Sequence, residues 1–121
     1  MDLSISEMMA LQQQLFEPHR DEWPPMEPEF AKEYILYMME EVGEVIAILK
    51  KKGCANVMED PRVREHFLEE MADVLMYYHD ILLRCHVTPE EISRAYRAKY
   101  ERNMRRNYRR QYEEMYHDGQ D

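Results

Sequence analysis

Apolar residues recur every three or four positions along most of this 121-residue chain, and this spacing restricts what it can fold into. An interval of three or four places side chains on one face of an α-helix. A sustained alternation of β-branched and polar residues, which would indicate strands, is absent, and the chain has only three glycines. We therefore expect an all-α protein, a single domain over 1–121 built as an antiparallel bundle of four to five helices.

Helix boundaries follow from capping residues and prolines. Four prolines make the stretch 17–28 a connecting loop. Thr88 followed by Pro89 is typical of the start of a helix. We expect a turn at 53–61 and a loose tail at 116–121. The predicted helices cover about 3–17, 28–52, 62–86 and 89–115.

Composition and charge narrow the class of protein. Hydrophobic residues make up 45% of the chain and charged residues 34%, and no apolar run approaches the roughly 20 residues needed to span a bilayer. The N-terminus shows no secretory signal pattern, so we expect a soluble cytoplasmic protein without membrane contact. The apolar stripes are extensive for a domain of this size, so we expect oligomerisation to complete the core.

The net charge of −9 conceals a strong asymmetry. Residues 94–110 contain eight basic side chains and one acidic side chain, a net of +7. An acidic body joined to a basic last helix suggests a cation site in one place and an anion site in another. Binding to nucleic acid is not expected, because the acidic body would repel a polyanion.

Carboxylates cluster on two consecutive predicted helices. In the stretch "EEVGE" (40–44), Glu41 and Glu44 are three residues apart and Glu40 and Glu44 are four apart, so all three project over neighbouring turns. On the next helix, "EMAD" repeats the spacing with Glu70 and Asp73, at the edge of the apolar stripe.

The residues alone leave two interpretations of these acids open. They can form a solvated acidic face, or they can converge on a divalent cation such as Mg²⁺, which prefers oxygen ligands. Like charges meeting at a partly buried seam would raise each other's pKa values unless a cation were bound. Gly43 lies inside the predicted helix, where glycine is unfavourable, and we expect close helix packing at this position.

The last predicted helix carries Lys99, Asn103 and Arg106 at spacings of four and three, on one helical face. Cations beside a carboxylate-bound metal would suit a polyphosphate substrate. The alternative is a solvated basic helix.

With these motifs the chain resembles the MazG-like, all-α nucleoside triphosphate pyrophosphohydrolases, a superfamily that includes the dimeric dUTPases and dCTP pyrophosphatases. The resemblance covers about 28–107 and consists of "EEVGE", a spacer of 25 residues, "EMAD", and a last helix with a lysine, an asparagine and an arginine. It implies Mg²⁺-dependent hydrolysis, with Mn²⁺ as a possible substitute, between the α- and β-phosphates of a nucleoside triphosphate.

The resemblance also implies roles for individual residues. The metal ligands would be Glu41, Glu44, Glu70 and Asp73, with Glu40 assisting them or orienting the attacking water. The phosphates or the sugar would be contacted by Lys99, Asn103 and Arg106. The family fold implies a homodimer or homotetramer.

Two aromatic residues have open assignments. Tyr77 matches a position that contacts the nucleotide in relatives, and Trp23 lies in a loop where relatives place rings that stack on the base. Each is equally compatible with a place in the core. The alternative function for the whole chain is a non-enzymatic oligomeric module that binds nucleic acid or a regulatory nucleotide through its basic helix.

Overall fold

Helices account for nearly all of the regular structure in the computed structural model, which describes residues 1–106 and 113–115. No strand occurs in these residues, so the all-α prediction is confirmed. None of the described helices combines the length and apolar character needed to cross a bilayer. The helices are α1 (Ile5–Phe16), α2 (Ala31–Lys52), α3 (Cys54–Glu59), α4 (Pro61–Arg84) and α5 (Pro89–Arg105).

Local capping interactions determine where the helices begin and end. At the start of α1, the Ser4 hydroxyl accepts from the Glu7 backbone N–H at 3.1 Å while the Glu7 carboxylate accepts from the Ser4 N–H at 3.0 Å, a capping box. Asp60 accepts from the Arg62 N–H at 3.0 Å and caps α4. α2 ends at Lys52, and the next residue, Gly53, has a φ of 82°, a conformation that glycine adopts without strain.

Two of the predicted connections differ in the structure. The turn predicted at 53–61 contains the short helix α3, because no glycine or proline interrupts residues 54–60 and the buried side chain of Val57 anchors it. The predicted loop at 17–28 has 3₁₀ turns at its ends, Glu17–His19 and Pro28–Phe30, with irregular chain between them.

α5 ends at Arg105, before the predicted end at about 115; residues 113–115 are helical again, and 107–112 lie outside the described residues. Arg102 precedes Arg105 by three residues and Arg106 by four, and like charges at this spacing destabilise the end of a helix. The predicted loose tail at 116–121 lies outside the described residues.

The chain divides into two compact units, Met1–Pro89 and Glu90–Asp121. In the first unit α4 packs mainly against α2 and also contacts α1 and α3. Tyr34 near the start of α2 contacts Arg84 at the end of α4, whereas Glu41 further along α2 interacts with Glu70 earlier in α4. The two long helices are therefore antiparallel.

The buried apolar core is smaller than the predicted stripes. Several large apolar side chains of α2 and α4 are at least 40% exposed, including Met71 at 45%, although it lies between the motif residues Glu70 and Asp73 at the edge of the apolar stripe. α2 and α4 pack on each other along one face, and α1 and α3 cover only part of the remaining surface, so these apolar side chains stay exposed within the first unit. The buried apolar residues are Met9, Phe16, Ala31, Tyr34, Val45, Ile48 and Val57.

The expectation of close helix packing at Gly43 is also wrong. A Cβ atom added there would meet no heavy atom within 4 Å, and the residue is exposed. The buried residues of this part of α2 are Val45 and Ile48, so α4 packs on another side of the helix. Gly43 is therefore not required by packing within the described residues.

An arginine is the most completely buried side chain of the first unit. Arg84 has 0% exposure, and its Nε donates to Asp80 Oδ1 at 2.5 Å. Its Nη1 donates to the backbone carbonyls of Pro24 at 2.9 Å and Pro25 at 2.6 Å. Its guanidinium carbon lies 3.6 Å from the centre of the Tyr34 ring, a cation–π contact. We call Asp80 and Arg84 the buried ion pair.

Replacing Arg84 by methionine is expected to lower the free energy of unfolding by about 3–5 kcal/mol, because Asp80 would remain buried without its cation. Urea denaturation measures this. The matched control is Arg20→Met, which breaks the exposed Arg20–Glu17 pair at 2.6 Å and should change stability little. Equal losses of unfolding free energy in the two variants would show that burial of the ion pair does not determine its contribution to stability.

Candidate functional site

Three of the predicted metal ligands converge in the structure. Glu41 and Glu44 project from α2 and Glu70 from α4, and one carboxylate oxygen of each lies within 4.8 Å of the others. We call these three residues the carboxylate cluster. Antiparallel packing of α2 on α4 brings the two motifs to the same level. A set of oxygen ligands suits a hard divalent cation such as Mg²⁺ or Mn²⁺.

The members of the cluster differ in burial: Glu44 is exposed, Glu41 is half-buried and Glu70 is the most buried. The Glu70 side chain is only 13% exposed, and its Oε2 is buried without a hydrogen-bond partner among the described residues. The other oxygen, Oε1, lies 3.4 Å from His66 Nε2. A buried carboxylate oxygen that lacks a donor is energetically costly. A cation bound between the carboxylates would remove this cost, so the residues present fit a divalent metal ion.

The electrostatics of the cluster agree with its geometry. The pKa of Glu41 is raised from 4.5 to about 7. The largest cause is the Glu70 carboxylate, with which a protonated Glu41 can share its hydrogen; burial and the charges of Glu70, Asp73 and Glu44 add to the effect. Asp73, the fourth predicted ligand, therefore interacts with the cluster, although it is not among the three converging oxygens.

A cavity of about 490 Å³ adjoins the cluster. Glu41 and Asp73 form its acidic side. This volume lies within the range of small-molecule sites. The structure thus brings four of the predicted site residues into one cavity. Its lining includes Trp23, Tyr34, Tyr37, Glu41, Asp73 and Tyr77.

Aromatic rings dominate the other side of this cavity. Tyr34 and Tyr37 lie 5.4 Å apart between ring centres, and both contact the Tyr77 ring at 6.2 and 6.1 Å. Trp23 stacks on the His19 ring at 4.1 Å with an interplanar angle of 13°. Below, we call this space the aromatic cavity.

The sequence analysis missed two contributors to the aromatic cavity. They are Tyr34 and Tyr37, neither of which is among the predicted site residues. Tyr34 is three residues before Tyr37, and Tyr37 is four residues before Glu41. Both tyrosines therefore share one helical face with the acidic motif. This spacing was the signal that could have found them.

The remaining predicted residues lie elsewhere. Glu40 is exposed, one position before Glu41 on α2. Lys99 and Asn103 lie on α5, and Arg106 follows its end, so these three belong to the second unit. Lys99 is exposed, whereas Asn103 is half-buried and its Oδ1 has no partner among the described residues.

No family model, curated protein or solved structure matches this chain.

Glu41→Gln is expected to raise the thermal midpoint of the metal-free protein at about pH 8 and to change it little at about pH 5. Because folding raises the pKa of Glu41 from 4.5 to about 7, the folded state holds this proton more tightly than the unfolded chain does. The resulting stabilisation is complete below pH 4.5 and is lost as the pH rises through 7. Glutamine cannot ionise, so the variant does not lose stability as the pH rises.

Thermal melts in the presence of a chelator, at both pH values, measure this effect. Glu40→Gln is the matched control, because it removes an adjacent exposed carboxylate and should not reproduce the pH dependence. A midpoint of Glu41→Gln that shifts equally at both pH values would contradict the predicted coupling.

Proposed function

We propose that this protein is a Mg²⁺-dependent nucleoside triphosphate pyrophosphohydrolase, with Mn²⁺ as a possible substitute. It would hydrolyse the α–β phosphate bond of an NTP or dNTP to a nucleoside monophosphate and pyrophosphate. The observation that carries the proposal is the junction of the aromatic cavity with the carboxylate cluster, since Glu41 belongs to both. An aromatic cavity suits a base, and an adjacent cation site suits phosphates.

The aromatic cavity would bind the nucleoside. Aromatic rings stack on the faces of nucleobases, and each stacked base contributes about 1–3 kcal/mol. Trp23 and Tyr77 are the rings assigned to this role by resemblance, and the cavity adds Tyr34 and Tyr37. The polar lining residue Gln12 has an Oε1 without a partner among the described residues, which leaves a hydrogen-bond acceptor inside a mostly apolar site.

The carboxylates would hold the metal ion and control protons. When bound, the ion would neutralise phosphate charge and lower the pKa of coordinated water. Glu41, Glu44 and Glu70 would hold it, with Asp73 beside them. Glu41 has a pKa of about 7, so it carries a proton part of the time at neutral pH and would release it when the ion binds.

The chemical step is an addition of water across the bridging P–O bond. The water oxygen becomes bonded to one of the two phosphorus atoms, the bridging oxygen leaves with the other, and a proton is released. In this proposal the exposed carboxylate of Glu40 assists the metal ligands or orients the attacking water. Lys99, Asn103 and Arg106 are proposed to contact the phosphates or the sugar.

We further propose that the protein acts in nucleotide-pool cleaning as a homodimer or homotetramer. Exposed apolar side chains support assembly, because soluble monomers rarely expose large contiguous apolar patches. Leu36, Met39 and Ile46 on α2 are each more than half exposed, as is Leu68 on α4.

The assay for this function measures pyrophosphate release from a panel of canonical, deoxy and damaged NTPs, with and without Mg²⁺. Release is expected only with Mg²⁺, and Glu44→Gln and Asp73→Ala are each expected to reduce it by about 100-fold or more, since each loses a charge at the metal site. Glu69→Gln is the matched control, because it removes an exposed carboxylate beside Glu70. No release from any nucleotide, with salt-sensitive RNA or DNA binding, would favour the non-enzymatic module.

Trp23→Ala is expected to lower kcat/KM by about 5- to 150-fold, the equivalent of one lost stacking interaction. Trp23→Phe keeps a ring and should retain most of the activity. Because Trp23 also lies 6.4 Å from the core ring of Phe16, thermal melts of both variants must accompany the kinetics. Unchanged kcat/KM in Trp23→Ala would show that this ring does not contact the nucleotide.

A further inference from the structure

A second cavity, of about 330 Å³, opens on the other side of the carboxylate cluster. Glu44 belongs both to this cavity and to the cluster. The remaining polar lining is basic or neutral, and Ala47 and Ile48 complete the floor. The polar side chains that line it are those of Glu44, Lys51, Lys52 and His66, and we call it the lysine cavity.

Helix geometry explains why these residues share one cavity. Lys51 and Lys52 lie seven and eight residues after Glu44, two turns along α2 on the same face. Their Cα atoms are about 10–12 Å beyond that of Glu44 along the axis. Because helical Cα–Cβ bonds tilt toward the N-terminus, both lysine side chains lean toward Glu44 and the cluster. His66 approaches from α4, with its Nε2 at 3.4 Å from Glu70 Oε1.

The two lysines are not neutralised within the first unit. None of the ion pairs formed by the described residues includes Lys51 or Lys52. Lysines in the last turn of a helix interact favourably with its dipole, and this explains why positive charge is tolerated at the end of α2. The interaction with the dipole does not explain why Lys51 and Lys52 lie in a cavity beside the carboxylate cluster. Lys50 is in the same last turn and interacts with the dipole equally well, but it does not line that cavity.

We propose that the lysine cavity binds the β- and γ-phosphates of the substrate and then the leaving pyrophosphate. The assignment of these phosphates rests on the proposed function, whereas the binding of pyrophosphate does not require turnover. The ammonium groups of Lys51 and Lys52 donate hydrogen bonds to phosphate oxygens as point charges. With the nucleoside in the aromatic cavity, the scissile bond then lies at the carboxylate cluster between the two cavities.

Glu44 makes binding in this cavity dependent on a divalent cation. A carboxylate in the lining repels a polyanion, and like charges close together are unfavourable. When the carboxylate cluster holds a divalent cation, the local charge reverses and pyrophosphate is attracted from both sides. The lysine cavity therefore binds magnesium pyrophosphate and not free pyrophosphate.

The test is equilibrium dialysis of the full chain with radiolabelled inorganic pyrophosphate, in excess Mg²⁺ and in chelator. The native protein is expected to bind only with Mg²⁺. The double variant Lys51→Gln/Lys52→Gln is expected to bind about tenfold more weakly or worse, because hydrogen bonds to charged groups are lost. Lys50→Gln is the matched control, with one charge removed from the same helix end, and should bind like the native protein.

Each outcome of the dialysis experiment either supports or overturns the assignment of the lysine cavity as a pyrophosphate site. Native-like binding by the double variant, absence of binding by the native protein, or an equal loss in Lys50→Gln would overturn it. Both lysines are exposed, so folding should persist; if thermal melts show otherwise, the single variants Lys51→Gln and Lys52→Gln replace the double variant.

The same experiment separates this inference from the proposed function. If magnesium pyrophosphate binds through Lys51 and Lys52 but no nucleotide is hydrolysed, the anion site stands and the enzyme assignment fails. If nucleotides are hydrolysed while the double variant keeps native pyrophosphate affinity and KM, the enzyme assignment stands and the lysine cavity is not its phosphate subsite.

Discussion

The fold of the first unit depends on placing a charged guanidinium where water cannot reach it. Arg84 is tolerated there because Asp80 neutralises it, two proline carbonyls accept from it, and the Tyr34 ring covers it. Replacing such a pair by apolar residues often costs nothing, whereas removing one partner alone leaves an uncompensated buried charge. The buried ion pair is compatible with one arrangement of the loop and helices, because any other arrangement would leave a buried charge without its partners.

This arrangement has consequences for the candidate site. The carbonyls that Arg84 holds belong to Pro24 and Pro25, directly after Trp23, so the buried ion pair positions the loop that carries the tryptophan. Asp80 lines the aromatic cavity itself and also accepts from Gln12 of α1 at 3.5 Å. The wall of the cavity is therefore attached to the most constrained part of the core, which favours a preformed binding site over one assembled by the ligand.

Sequence reasoning succeeded where a feature depends on local spacing. Helical periodicity located the long helices, and the spacing of the carboxylate motifs offered convergence as one of two interpretations; Glu41, Glu44 and Glu70 do converge, whereas Asp73 is not among the converging ligands. It failed where the feature depends on what packs from elsewhere. Asp80 and Arg84 are four residues apart and look like an ordinary exposed pair on a helix, because they are buried by residues distant in sequence: the proline loop, Gln12 of α1 and Tyr34 of α2. Likewise, nothing in the spacing of Met71 shows that the face it occupies lacks a partner within the first unit.

The side chains along a single face of α2 change in chemical character from one end of the helix to the other. Residues 37, 41, 44, 48 and 51 follow one another at intervals of four and three, so they form one line along the helix. From the N-terminus the line is aromatic at Tyr37, acidic at Glu41 and Glu44, apolar and buried at Ile48, and basic at Lys51, over about 21 Å. A nucleoside triphosphate presents the matching order of base, metal-binding phosphates and terminal anionic charge. This order is difficult to explain as a solvated helix surface, because such a surface would intersperse its charges to form favourable pairs three or four residues apart.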